Sequence, residues 1–137
     1  FGDNKDDKKL INDLLNWMKK NKADYTNTFC YLMNISIGNS SLYDDKEFIN
    51  WSNNWKNRIF INNNSKDKSI ELMKKTNPII IPRNHKVEEA LKAANENDLE
   101  VMNRLLSNLD NPYSEQKDIE DYQLPSNNEG YQTFCGT

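Results

Sequence analysis

Two cysteines and one histidine are the residues of this chain best suited to act as nucleophiles or metal ligands. Cys30 and Cys135 lie far apart in the sequence, and His85 is the only histidine. Zinc sites and small disulfide frameworks need several such residues at short, repeated spacings. The sequence therefore predicts neither a metal site nor a disulfide framework, and burial as a small hydrophobic side chain is the favoured interpretation of Cys30.

Acidic residues occur in two adjacent pairs, Asp44-Asp45 and Glu88-Glu89. Two carboxylates can act as general acid and base when their surroundings separate their pKa values. Adjacent residues point to different sides of a helix, however, and acids near a helix start interact favourably with its dipole. We interpret both pairs as solvated surface. His85 also falls at a predicted helix start, with no nucleophile beside it in the sequence.

The four glycines are too dispersed to form a phosphate-binding loop, so the sequence predicts no catalytic, cofactor-binding or metal-binding residue in this chain. The net charge is -3 with both signs interspersed, and no basic face is predicted to bind nucleic acid. No apolar run approaches the roughly 20 residues that span a bilayer. From these features, and from a start at Phe1 rather than Met, we expect a soluble, intracellular piece of a longer protein with no membrane partner.

Apolar residues at helical spacing predict the elements that carry these side chains. The first predicted helix has Asp6 or Asp7 as its cap and one apolar face, formed by Leu10, Ile11, Leu14, Leu15 and Met18. Asp24 is predicted to cap a second helix, which contains Cys30 and ends before Gly38.

A third helix is predicted to open at Asp44-Asp45 and to place Trp51 and Trp55 one turn apart on the same face. An aromatic stripe can serve as a ligand platform. At helical spacing it is more often part of a core, and we adopt that interpretation.

A polar loop is predicted over residues 62–69, with Ser69 capping a short helix that stops at Asn77-Pro78. The three isoleucines at 79–81 lie between two prolines, which hold them extended, and they are too apolar to remain in water. They predict a buried strap rather than a strand. Asn84 is predicted to cap the helix that follows.

Two further helices separated by a break at Asn97-Asp98 predict an αα-hairpin. No alternating run long enough for a sheet is present. The predicted fold is all-α, with five or six short helices, a C-terminal αα-hairpin, an extended apolar strap and an irregular tail. The predicted division is a helical domain over residues 1–111 and an irregular acidic tail over 112–137.

The stretch NPIIIPRNHKVEEALKAANENDLEVMNRLLSNLDNPYSEQ, residues 77–116, resembles a segment near the C-terminus of the SelO family, also called YdiU. Segments ADYTNTF and WSNNWKNRI upstream, and DYQLPSNNEGYQTFCGT downstream, resemble the family in the same order, the last as in a bacterial branch. Cys30 departs from the pattern, since a basic residue is expected there. The motif positions that carry the resemblance are Asn77, Pro78, Arg83, Asn84, Asn111, Pro112 and Tyr113.

The resemblance implies a parent protein with a kinase-like fold that transfers AMP from ATP to hydroxyl side chains of proteins, using Mg²⁺ or Mn²⁺. The residues that perform this transfer in the family lie N-terminal to everything present here. The implied partners are the kinase-like domain of the same polypeptide and the protein substrates of the parent. The strap and the Arg83-Asn84 pair are then candidate structural supports, and a cytoplasmic location is expected.

The resemblance also implies a redox role for Cys135, because family members can link a cysteine near the C-terminus to one in the kinase-like domain. A thiol on an accessible chain end suits disulfide exchange. Tyr131 and Phe134 are expected to dock this end. Cys30 as the partner and a terminal thiol without function remain open alternatives. A stand-alone helical interaction module is the alternative function, which the extent of the gene would decide.

Overall fold

The computed structural model of the chain describes residues 5–38, 40–61 and 66–126. Within these ranges it contains seven α-helices and no strand, which confirms the all-α fold. The seventh helix is a single turn that no periodic pattern in the sequence indicates. The helices are α1 (Lys5–Lys20), α2 (Tyr25–Leu32), α3 (Lys46–Ile61), α4 (Lys66–Thr76), α5 (Asn84–Asn95), α6 (Glu100–Leu109) and α7 (Glu120–Gln123), with a 3₁₀ turn at Ser41–Asp44 before α3.

The chain divides into two compact units, unit 1 (Phe1–Asn77) and unit 2 (Pro78–Thr137). The division falls where proline disfavours helical backbone in the residue before it. The predicted boundary at residue 111 separates helical from irregular sequence, whereas the division at residue 77 separates two compact bodies. The boundary at residue 111 therefore stays a prediction.

Two aspartates begin the helices of unit 1 as predicted. The Asp24 carboxylate accepts a hydrogen bond from the Asn27 backbone N–H at 2.9 Å, and the Asp45 carboxylate accepts one from the Phe48 N–H at 3.1 Å. Each satisfies a donor that has no partner within its own helix. After α2 the backbone turns at Asn34, which has a positive φ of 60°.

Unit 1 has an aromatic core. Phe48 lies at its centre with 2% of its surface exposed, and its ring lies 4.6 Å from that of Trp17 and 5.0 Å from that of Tyr43. Trp51 and Trp55 stack with their ring centroids 6.0 Å apart and their planes within 9° of parallel. The predicted tryptophan stripe is therefore confirmed as core.

Asp7 does not cap the first helix, because α1 already begins at Lys5 and both predicted caps lie inside it. The Asp7 carboxylate instead receives two hydrogen bonds from the Arg58 guanidinium, from Nε at 2.7 Å and from Nη2 at 3.1 Å. Only 6% of the Asp7 side chain and 13% of the Arg58 side chain are exposed. This buried ion pair joins α1 to α3.

Ser69 is also not a cap, contrary to the prediction. It lies inside α4, because that helix begins at Lys66. Of the polar loop predicted over 62–69, residues 62–65 fall outside the described ranges, and 66–69 form the first turn of α4. Lys and Asp residues extend the helix toward its N-terminus although they add no apolar face.

In unit 2 the break between α5 and α6 occurs as predicted. Asn97 has a positive φ of 66°, and the Asp98 carboxylate accepts the Glu100 N–H at 2.9 Å. Asn84 is not the cap of α5. It is the first helical residue. Arg83 occupies the cap position, since its backbone is still extended, with ψ 128°, and its side chain makes no cap bond.

Candidate functional site

The strap, residues 79–81, is the centre of the region that carries the family-like motif. Ile79 and Ile80 are almost fully buried, and Ile81 is half-buried. The Ile79 N–H donates to the Pro112 carbonyl at 2.7 Å, and the Ile80 N–H approaches the same oxygen at 3.5 Å. The prediction of a buried strap without strand pairing is confirmed, and its backbone partner is the second proline of the motif.

A closing segment, residues 112–126, covers this strap. Gln123 is buried, and its Nε2 donates to the Ile79 carbonyl at 3.3 Å. The Arg83 guanidinium donates through Nη2 to the Gln123 carbonyl at 2.8 Å. Gln123 therefore binds both the strap and the residue that precedes α5, which fixes where the hairpin begins.

The closing segment belongs to the part of the sequence that was expected to be an irregular acidic tail. Within its described residues, Ile119 is buried and α7 forms one turn, so this part belongs to the packed body of unit 2. Ile119 stands alone among charged residues, and no helical or alternating period identifies it. The one available signal was that a lone isoleucine in an acidic stretch is rarely left in water.

The predicted motif residues do not all meet at one place. The Pro112 carbonyl binds the strap, and the Arg83 guanidinium binds Gln123 of the closing segment. The Asn111 carbonyl accepts hydrogen bonds from the Ser114 N–H at 3.1 Å and from the Gln116 side chain at 2.9 Å, which forms the turn after α6.

The remaining motif residues lie on the periphery. The Asn77 side chain donates to the Met73 carbonyl at 3.1 Å within unit 1, where it ends α4. Pro78 is half-buried at the start of unit 2, and Asn84 and Tyr113 are exposed. Cys135, Tyr131 and Phe134 fall outside the described residues.

Charged groups of both signs line a groove beside the α5–α6 hairpin. Lys86 donates to Glu89 at 3.1 Å and lies 5.6 Å from the Tyr122 ring centroid, and Arg104 donates to Glu100 at 2.9 Å.

Burial, with help from the positive charges of its neighbours Lys86 and Arg83, lowers the pKa of His85. Among the described residues, no group of three or more His, Cys, Asp or Glu side chains is arranged to hold a metal ion.

Cys30 is fully buried in unit 1, as predicted. Nearby, the buried hydroxyls of Thr28 and Tyr43 lie 3.2 Å apart. Burial raises the pKa of Tyr43, and the hydrogen bond with Thr28 opposes that change. These contacts hold α2 against the 3₁₀ turn, which is a structural role.

In the part of the chain that the structure describes, no helix is long and apolar enough to cross a membrane.

Comparison with known proteins agrees with the motif. The sequence profile described as "Protein adenylyltransferase SelO" matches residues 2–110, which include parts of both units and stop just before Pro112. The chain belongs to the SelO family.

Several relatives of this SelO chain carry the name "Protein nucleotidyltransferase YdiU". Those from Pelagibacter ubique, Bacillus cereus strain ZK and Bacillus thuringiensis strain Al Hakam are 51%, 47% and 46% identical to it. Each alignment covers the whole of this chain but only 29% of the relative. The sequence therefore spans less than a third of the length of the relatives it matches.

Proposed function

We propose that this chain is the C-terminal helical region of a SelO protein that transfers AMP from ATP to hydroxyl side chains of other proteins. The profile match over residues 2–110 carries the proposal, since that profile is described as a protein adenylyltransferase. The relatives' name, protein nucleotidyltransferase, supports the same class of reaction. An ATP-dependent reaction on proteins fits a cytoplasmic location, which we include in the proposal.

In such a transfer the hydroxyl oxygen of a serine, threonine or tyrosine attacks the α-phosphorus of ATP. A new P–O bond forms to the side chain, whose hydroxyl proton is released to solvent, while the bond from the α-phosphorus to the oxygen of the β-phosphate breaks and pyrophosphate leaves. Mg²⁺ or Mn²⁺ would neutralise the phosphate charge. We assign ATP and metal binding to a kinase-like region in the remainder of the polypeptide, since this chain spans only 29% of the length of its relatives.

The role we assign to this region is mechanical support of that kinase-like part, which is its first partner, while the substrate proteins are the second. The strap, Arg83 and Gln123 support this role because their side chains and backbone groups are used in holding the hairpin. Side chains and backbone groups that are held by such hydrogen bonds provide a rigid surface for a neighbouring lobe.

The reaction class is tested with the full-length polypeptide, ATP labelled separately at the α- and γ-phosphates, and Mg²⁺ or Mn²⁺. We expect α-label on Ser, Thr or Tyr of an acceptor protein, with an equal amount of pyrophosphate released. Transfer of the γ-label with release of ADP would mean a kinase and would overturn the proposal.

We also propose that Cys135 regulates the parent protein through a disulfide with a cysteine outside this chain. The two thiols would give two protons and two electrons to a small disulfide such as oxidised glutathione. The complete burial of Cys30 supports a partner elsewhere, because exchange requires access to the sulfur.

The redox proposal is tested on non-reducing gels of the full-length protein after treatment with oxidised glutathione. We expect a mobility shift that Cys135→Ser abolishes and that Cys30→Ser leaves in place. A shift that persists in Cys135→Ser would remove Cys135 from the account.

A further inference from the structure

The apolar face of α1 is only partly used by the core of unit 1. Leu14 and Met18 are buried, but Ile11 and Leu15 are 43% and 44% exposed. The sequence predicted that all four share one apolar face. The structure instead divides that face into a row that packs against α3 and a row that remains on the surface.

The exposed row lines a groove, called here the α1–α2 groove, with a volume of about 190 Å³. Tyr25, which is 60% exposed, forms the opposite rim and packs on Phe29 with ring centroids 4.8 Å apart. All the lining residues are aliphatic or aromatic: Leu10, Ile11, Leu14, Leu15, Tyr25, Phe29, Leu32, Trp51, Trp55 and Met73.

The floor of this groove is the core of unit 1 itself. Trp51, Trp55 and Leu32 are buried residues of that core, and they also form the base of the groove. Single exposed leucines are normal on protein surfaces, but a concave site lined mainly by apolar and aromatic side chains is typical of a binding surface.

We propose that apolar side chains from the remainder of the same polypeptide fill the α1–α2 groove. This rests on the proposed function, in which the chain is one region of a longer SelO protein. The relatives extend far beyond this chain, which spans 29% of their length. A segment tied to the same chain has a high effective concentration at the groove, so a small apolar surface is enough to hold it.

The test measures thiol labelling in the full-length native protein. Leu15→Cys places a thiol in the groove, and Leu72→Cys is the matched control, since Leu72 is a 63% exposed leucine on α4 of the same unit and does not line this groove. Both variants are treated with a maleimide, and labelling of each peptide is followed by mass spectrometry. If Leu15→Cys does not fold, Ile11→Cys replaces it.

We expect the thiol at position 15 to react at least about tenfold more slowly than the thiol at position 72, with equal rates once the protein is denatured. Similar rates in the native protein would overturn the proposal. Protection that disappears on dilution, together with loss of a dimer, would assign the groove to a second copy and would also overturn it. Because labelling needs no activity, an inactive protein with a protected position 15 would contradict only the proposed function.

Discussion

The core of unit 1 is built from large aromatic side chains and a buried ion pair, whereas unit 2 has a small aliphatic core closed by hydrogen bonds to the backbone of its strap. In unit 1 the contacts that matter are between side chains, as in the Phe48 cluster and the Asp7–Arg58 pair. In unit 2 the Pro112 and Gln123 carbonyls accept the bonds that join distant segments.

The difference teaches that unit 1 can be damaged by truncating one large side chain, while unit 2 depends on whether its closing segment stays in place. Aromatic burial contributes more free energy per residue than a single hydrogen bond does. Changes in unit 1 should therefore have the larger effects, and each should leave the other unit nearly unchanged.

The largest effect is expected for Phe48→Ala in the 137-residue chain. It removes a buried ring from the aromatic core, which typically lowers the free energy of unfolding by about 3–5 kcal/mol. Urea unfolding followed by tryptophan fluorescence reports unit 1 specifically, because Trp17, Trp51 and Trp55 all lie there. Phe60→Ala is the control, since Phe60 is 82% exposed and should change stability by less than about 0.5 kcal/mol. Equal effects of the two changes would refute the aromatic core.

The next effect is expected for Asp7→Ala, which removes the carboxylate that receives two hydrogen bonds from the buried Arg58 guanidinium. Loss of one partner of a buried pair costs about 3 kcal/mol, measured by the same fluorescence titration. The control is Asp13→Ala, which breaks the exposed Lys9–Asp13 pair and should cost about 0.3–0.5 kcal/mol. In the double variant Asp7→Ala with Arg58→Met we expect most of the loss to be recovered. A double variant no more stable than Asp7→Ala would contradict the ion-pair explanation.

A smaller effect is expected in unit 2 for Arg83→Met, which keeps the aliphatic stem but removes the donor to the Gln123 carbonyl. A hydrogen bond from a charged group contributes about 1.5–3 kcal/mol. Urea titrations followed by the NMR amide signals of α5 and α6 measure the loss, and the tryptophan fluorescence midpoint should not move. Arg104→Met removes an exposed ion pair and should have almost no effect. If both variants behave alike, the closing segment does not depend on Arg83.

The smallest effect is a pH dependence confined to unit 2. Because burial lowers the pKa of His85 in the folded state, the unfolded chain binds a proton first as the pH falls below about 6.5. The folded state therefore loses stability in that range, and the loss is absent above it. His85→Gln should remove this component when the same amide titrations are repeated at about pH 7.5 and about pH 5.5, on either side of the ordinary histidine pKa. A variant with the wild-type pH dependence would show that another group is responsible.

Local signals in the sequence predicted the parts of the fold that depend on neighbouring residues. Asp24 was identified as a cap because a carboxylate three residues before a free N–H is a local arrangement, and the break between α5 and α6 was identified from Asn97-Asp98. The tryptophan pair of α3 was identified from helical spacing, and the buried strap from its composition.

Contacts between distant segments could not be predicted in this way. Nothing local indicates that Asp7 pairs with Arg58, or that Gln123 returns to the strap. Helical spacing also could not predict which part of the apolar face of α1 packs into the core, since it shows which residues share a face but not how wide the neighbouring helix is. The part that stays exposed forms the α1–α2 groove.

The central proposal is that this SelO chain supports a reaction whose active site lies elsewhere in the polypeptide. Its most direct test compares AMP incorporation into an acceptor protein by the full-length polypeptide and by residues 1–137 alone, at equal concentrations with ATP and Mg²⁺ or Mn²⁺. The account predicts incorporation by the full-length protein and none above the enzyme-free blank by residues 1–137. Measurable AMP transfer by residues 1–137 alone would contradict it.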